Sequence, residues 1–214
     1  MVRIVSPNLD SLAAVAELVA KGGIIAYPTD TVYGLGCDPF NSQAVKAILR
    51  VKGDRSKPLP VLVESLHAAE SIVDFSSRAL KVAAAFWPGP LTMVLRAKPT
   101  VPVILAPDKT VGVRSPKHAI CLKLLGMCRG MLVGTSANKT GHSPATTAKE
   151  VAQELGDQID LIIDGGRTML GISSTVIDLT KGFRLLREGP ISREDLLKCV
   201  RGSRCDSAIK LSNH

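Results

Sequence analysis

Six short stretches of this 214-residue chain draw on one set of chemical groups. They are "PTDTVYG" (28–34), "KGDRSKP" (52–58), "VRSP" (113–116), "TSANKTGHSP" (135–144), "SST" (173–175) and "REG" (187–189). Together they supply hydroxyls, amides, glycines and cations. Guanidinium and ammonium groups beside hydroxyl and amide donors suit an anionic, oxygen-rich ligand such as a polyphosphate or a carboxylate. The stretches lie beside segments that read as strands or helix ends, and in an open α/β sheet ligands bind beyond strand ends, where such loops converge. Taken singly, each stretch is also ordinary turn chemistry, because Ser, Thr, Asn, Gly and Pro are the common turn formers. Lys52 also has a bland reading, as a cation drawn to the partial negative charge of a helix C-terminus. Recurrence, more than any one stretch, points to a site.

Familiar catalytic signatures do not explain the set. "GTSANKTG" (134–141) has Asn138 where a phosphate loop needs glycine before Lys-Thr, so it is not a Walker A sequence. There is no GxSxG and no HExxH, and the four histidines are widely separated. His67 and His118 read as surface or helix-start residues. The five cysteines are odd in number and form no CxxC pair, which fits reduced thiols rather than a disulfide framework or a zinc site.

The elements that must position these loops alternate between helix and strand. Asn8 or Asp10 can cap a helix to about Ala20, with Leu12, Val15, Leu18 and Val19 on one face. "GIIAYP" (23–28) is a continuous apolar run, as in a strand covered on both faces, and "TDTVYGLGCD" follows as a loop. Asn41 caps a helix through "SQAVKAILRVK". "LPVLV" (59–63) is a strand, helices follow near 65–73 and 76–86, and "WPGPLTMVLR" is a rigid turn and then a strand. Next come strand 111–114, helix 117–126, strand "MLVGTS" (131–136), helix 146–155 and strand 160–164. "SSTVIDLT" and "FRLLRE" read as a pair around Lys181-Gly182, and a last helix starts after Ser192. The mixture predicts an α/β fold with an open, twisted, partly antiparallel sheet and helices on its faces. One domain is expected over residues 1–200, with a polar tail at 201–214.

Apolar residues are 45% and charged residues 21% of the chain, within the range of a globular protein. No apolar run reaches the length of a membrane span, and the first residues lack a signal-peptide pattern, so a cytoplasmic location is expected. The net charge of +8 draws anions of any kind. Aromatics are only 3%, too few for a base-stacking platform, so RNA, if bound, would be held mainly by backbone charge.

Seven ordered stretches resemble the YrdC/Sua5 family of threonylcarbamoyl-adenylate synthases along residues 9 to about 197. They are "GGIIAYPTDTVYGLGCD", "ILRVKGDRSKPLPVLV", "FWPGPLTMVL", "VGVRSPKH", "GTSANKTGHSPATTA", "STVIDL" and "LLREGPIS". The resemblance implies a YrdC/RibB-like fold with a positively charged concavity. It implies condensation of L-threonine, bicarbonate and ATP, with Mg2+, into threonylcarbamoyl-AMP and pyrophosphate. The adenylate would pass to a threonylcarbamoyl transferase for t6A modification of tRNA. Residue by residue, Lys52 matches the lysine of the family's Lys-x-Arg, and Ser136 and Asn138 match its Ser-x-Asn. Position 54 is aspartate, so Arg55 is the expected guanidinium, the alternatives being that Lys57 compensates or that nucleotide handling is impaired; Asp54 would point outward or help hold Mg2+. Lys52 and Arg55 are thereby the expected catalytic cations, and Ser143 and Arg187 further nucleotide contacts. Thr31, Tyr33 and Ser174 fall at the threonine end, and no metal ligand is assigned. Arg114 reads as the partner of a structural carboxylate. Two other readings carry over from relatives, a double-stranded RNA or tRNA-binding module without turnover and carbamoyl-adenylate chemistry. The second belongs to longer chains with zinc modules, which are absent here.

Overall fold

The computed structural model describes residues 2–53 and 58–201. In chain order the elements are β1 (Arg3–Val5), α1 (Leu9–Ala20), β2 (Ile25–Tyr27), β3 (Gly34–Gly36), α2 (Ser42–Lys52), β4 (Val61–Val63), α3 (Leu66–Glu70), β5 (Val73–Asp74), α4 (Ser77–Phe86) and β6 (Leu91–Ala97). They continue with β7 (Thr110–Arg114), α5 (Ala119–Met127), β8 (Met131–Val133), β9 (Thr135–Ser136), α6 (Ala148–Leu155), β10 (Leu161–Ile163), β11 (Thr175–Asp178), β12 (Arg184–Arg187) and α7 (Arg193–Arg201).

Local chemistry sets the helix starts. Asn8 Oδ1 accepts the Ser11 amide at 2.8 Å, and Asn41 Oδ1 accepts those of Gln43 and Ala44 at 3.1 Å, so both asparagines cap as their positions predict. His118 caps α5 through Nδ1, which accepts the Cys121 amide. Leu12, Val15 and Val19 lie buried along one face of α1 and join Ile25, Tyr27, Leu124 and Leu161 in one apolar cluster. A larger core gathers Ala26, Leu35, Ile48, Val61, Met93, Val113, Val151 and Leu196. No helix among the described residues is long and apolar enough to cross a membrane.

The α/β fold with mixed strand directions holds, but the strands divide between two sheets. The first runs β1-β10-β2-β3-β9, parallel from β1 to β2 and antiparallel beyond. The second runs β12-β11-β6-β7-β4-β8, with β5 paired to β6. The β11–β12 pair is antiparallel, as its turn predicts. Four details of the sequence reading are corrected. "MLVGTS" is not one strand: Val133 pairs with Val61 in the second sheet and Thr135 with Leu35 in the first. The switch falls at Gly134, where a Cβ would lie 2.3 Å from Leu62 Cγ, so only glycine passes there unstrained. "TDTVYGLGCD" is not all loop, since Gly34–Gly36 form β3; the glycines let this strand lie against the Tyr27 ring, which a Cβ at Gly34 would approach to 2.9 Å. The helix expected near 65–73 stops at Glu70, and Val73–Asp74 pair as β5. Finally, β1, unmarked in the sequence, is held by pairing with β10.

Burial also sets an alkaline limit. It pushes the Cys37 and Cys128 thiols from an ordinary 9.0 to about 12, with Asp38 adding to both, and raises Cys121 and Tyr27 as well. The unfolded chain therefore loses these protons first as pH rises. The contribution of Cys37 and Cys128 to stability is complete below about pH 9 and declines from there to about pH 12. Urea unfolding is expected to show a lower midpoint at about pH 10.5 than at neutrality, and equal midpoints would contradict this assignment.

Candidate active site

A cavity of about 470 Å3 opens on one face of the second sheet. Its floor follows from the two-residue period of a strand. Thr92 and Val94 of β6, Thr110, Gly112 and Arg114 of β7, and Val176 and Asp178 of β11 line it. The intervening residues Met93, Leu95, Val111, Val113 and Ile177 are fully buried core. Gly112 keeps the floor open between Pro60 and Thr92, each 3.3 Å from where its Cβ would stand. Segments of the first sheet and its loops close the cavity, including Thr31, Tyr33, Gly134 and Ser136. The charged lining among the described residues is Arg114, Arg184 and Arg187 with Asp108 and Asp178.

Arg114 is the most constrained of these groups. It is 5% exposed; Nε donates to Gly89 O at 2.9 Å, Nη1 to Thr31 Oγ1 at 2.8 Å, and Nη2 to Asp30 Oδ1. The expectation of a structural carboxylate partner is met by Asp30. Burial lowers the Arg114 pKa from its usual value while Asp30 opposes that shift. A guanidinium carries five N–H donors. Among the described residues three are engaged, which leaves one on each terminal nitrogen of a side chain that lines the cavity. The Thr31 hydroxyl is held between Arg114 and Thr29 Oγ1, the latter at 3.0 Å.

Ser174, also buried, shares a 2.8 Å hydrogen bond with Thr92 Oγ1. Arg187 reaches the same residue, donating from Nε to Ser174 O at 3.0 Å and from Nη2 to Ser174 Oγ at 3.2 Å. Desolvation, and then the charge of Arg114, lower the Arg187 pKa. Arg184 pairs with Asp178 at 2.8 Å.

Of the residues singled out in the sequence, Thr31, Tyr33, Ser136, Ser174 and Arg187 meet at this cavity. Lys52 and Asn138 lie outside its lining and face each other. The Lys52 ammonium, on a residue 2% exposed, donates to Ser136 O at 2.7 Å, to Asn138 O, and to Asn138 Oδ1 at 3.4 Å. Asn138 Nδ2 donates to the carbonyls of Lys139 and His142, each at 2.7 Å. Ser143 is exposed and outside the lining. Arg55, together with Asp54 and Lys57, lies outside the described residues. The floor residues Thr92, Thr110 and Gly112 were missed. The alternation of Thr110, Gly112 and Arg114 with Val111 and Val113 in "TVGVR" is the signal that could have found them.

The family model for Sua5, YciO and YrdC, described as telomere recombination, matches residues 17–189. The threonylcarbamoyl-AMP synthase of Pyrococcus abyssi is 39% identical over 198 residues, which are 91% of this chain and 58% of that protein. A putative threonylcarbamoyl-AMP synthase of Mycobacterium tuberculosis is 39% identical over 186 residues, 85% of each chain. Among solved structures, P. abyssi Sua5 complexed with L-threonine has a TM-score of 0.87 at 35% identity, covering 95% of this chain and 61% of that one. E. coli YciO has a TM-score of 0.79 at 28% identity, covering 88% and 95%. The chain thus spans less than two thirds of the P. abyssi protein's length.

Proposed function

The chain belongs to the Sua5/YciO/YrdC family, and we propose that it is an L-threonylcarbamoyladenylate synthase, a nucleotidyltransferase working in the cytoplasm. It condenses L-threonine, bicarbonate and ATP to threonylcarbamoyl-AMP and pyrophosphate, and a partner transferase moves the threonylcarbamoyl group to tRNA. The observation that carries this reading is a buried guanidinium, Arg114, in the wall of a cavity whose other polar lining includes the hydroxyls of Thr31, Thr92, Ser136 and Ser174. The cavity volume falls within the roughly 300–1,000 Å3 typical of small-molecule sites.

In this account the two remaining N–H donors of Arg114 take the threonine carboxylate in a bidentate pair, and the Thr31 and Ser174 hydroxyls orient the rest of the amino acid. The neutral amine attacks carbon dioxide derived from bicarbonate, forming the N–C bond of a carbamate and releasing a proton. A carbamate oxygen then attacks the α-phosphorus of ATP in line, and the bond to pyrophosphate breaks. No covalent bond to the protein is needed, so catalysis rests on positioning and on stabilising charge at phosphoryl oxygens. Arg187, from the cavity wall, and Ser136 supply donors on the nucleotide side. Lys52 and Asn138 hold the 136–142 loop that presents Ser136. No group of three His, Cys, Asp or Glu side chains fit to hold a metal occurs among the described residues. Mg2+ brought in on the triphosphate would supply charge neutralisation at the phosphoryl oxygens.

Pyrophosphate release tests the proposal. Release is expected only when ATP, L-threonine and bicarbonate are all present. Release that ignores the omission of threonine would reject it. Salt-sensitive RNA binding without turnover would instead favour the RNA-binding-module reading.

A further inference from the structure

Tyr33 falls at the threonine end of the sequence match and lines the cavity, yet its hydroxyl is engaged by main chain on the other side of it. The residue is 0% exposed. Its hydroxyl donates to Gly166 O at 2.8 Å and accepts the Gly165 amide at 3.2 Å. The phenol's one proton and one of its lone pairs are therefore engaged with the backbone of the β10–β11 crossover. The same loop, 28–33, touches that crossover twice more. Asp30 O accepts the Leu170 amide at 3.1 Å. Pro28 packs over Gly165, where a Cβ would come within 2.5 Å of Pro28 Cγ. Gly166 and Gly171, with φ of +79° and +66°, give the crossover bends that other residues rarely adopt. Beyond those bends the crossover delivers Ser173 and Ser174 into the cavity wall. One loop thus offers Thr31 to the cavity directly and holds the crossover that leads to Ser174.

We propose that Tyr33 is a positioning residue whose hydroxyl clamps the Gly165–Gly166 bend and thereby fixes Ser174, setting affinity for the amino-acid substrate through that clamp rather than through a hydrogen bond to the substrate. This rests on the placement of threonine at Thr31, Arg114 and Ser174. Burial pushes the Tyr33 pKa to about 12, so the clamp keeps its proton across the working pH range.

Two measurements on Tyr33→Phe decide it. The first is hydrogen exchange of the ligand-free protein. The phenylalanine keeps the ring, so the fold is retained, and amides of 165–174 are expected to exchange about tenfold faster while strands β6 and β7 keep wild-type rates. Unchanged exchange at 165–174 overturns the clamp, and this holds whether or not the protein proves to be the synthase. The second is a double-mutant cycle with Ser174→Ala, read as KM for L-threonine in the pyrophosphate assay. Tyr33→Phe is expected to raise that KM several-fold with kcat and the KM for ATP nearly unchanged, and to add little further in the Ser174→Ala background. Full additivity of the two substitutions would mean that Tyr33 acts on threonine independently and would overturn the proposal. Loss of threonine dependence in the wild-type enzyme would instead count against the synthase reading.

Discussion

Arg114→Ala is expected to reduce kcat/KM for threonine by about a hundredfold or more, the size of a lost charged hydrogen-bond pair, and to lower stability by about 3–5 kcal/mol. Both effects come from one geometry. Arg114 and Asp30 form an ion pair with each side chain 6% exposed, and Asp30 Oδ2 is already buried without a hydrogen-bond partner among the described residues. Removing the guanidinium leaves a buried carboxylate with no compensating charge. It also releases Thr31 Oγ1 and Gly89 O, which tie the 28–33 loop and the turn before β6 to β7. Removing Asp30 as well, in an Asp30→Ala/Arg114→Ala chain, is expected to recover part of the stability and none of the turnover. Urea unfolding and pyrophosphate release separate the two. If the double variant regains threonine-dependent turnover, Arg114 is a structural cation and the amino-acid site lies elsewhere.

The second large effect is expected at Lys52. Its ammonium bonds two main-chain carbonyls and the Asn138 amide oxygen, and its own carbonyl accepts the Thr140 amide at 3.0 Å. The end of α2 and the 136–142 loop are therefore one unit. Lys52→Met fills a similar volume but offers no donor, and each acceptor left buried and unsatisfied costs about 1–3 kcal/mol before water or rearrangement relieves it. The loop would shift, and Ser136, its residue in the cavity wall, with it. A displacement near 1 Å is enough to slow chemistry by about a hundredfold, so pyrophosphate release should fall by that order, with KM for ATP rising more than KM for threonine. A variant with wild-type kinetics in both substrates would show that the loop's position does not govern nucleotide handling.

Much of the frame was legible because local signals and tertiary packing agree there. The Asn8 and Asn41 caps, the buried "GIIAY" strand and the β11–β12 pair all follow from short-range chemistry. The glycines misled, because in a loop they permit turns and in β3 they permit close approach to Tyr27, and a sequence does not distinguish the two uses. Gly134 likewise hides a change of sheet inside a continuous strand-like run. At the site, the loops that meet at Thr31, Ser136, Ser174 and Arg187 were visible as recurring hydroxyl and cation chemistry. The inward turn of Lys52 onto carbonyls was not, because a lysine at a helix end reads equally as cap, ligand or latch. Nor was the role of Asp30, whose partner is 84 residues away.

The most direct test of the central claim follows carbon. Incubation with ATP, L-threonine and 13C-bicarbonate, followed by mass spectrometry of the nucleotide product, is expected to give threonylcarbamoyl-AMP heavier by one mass unit than the product of unlabelled bicarbonate. That shift requires the N–C bond and the O–P bond to form on one molecule. AMP or ADP as the only nucleotide products, with no labelled adenylate from folded protein, would contradict the account.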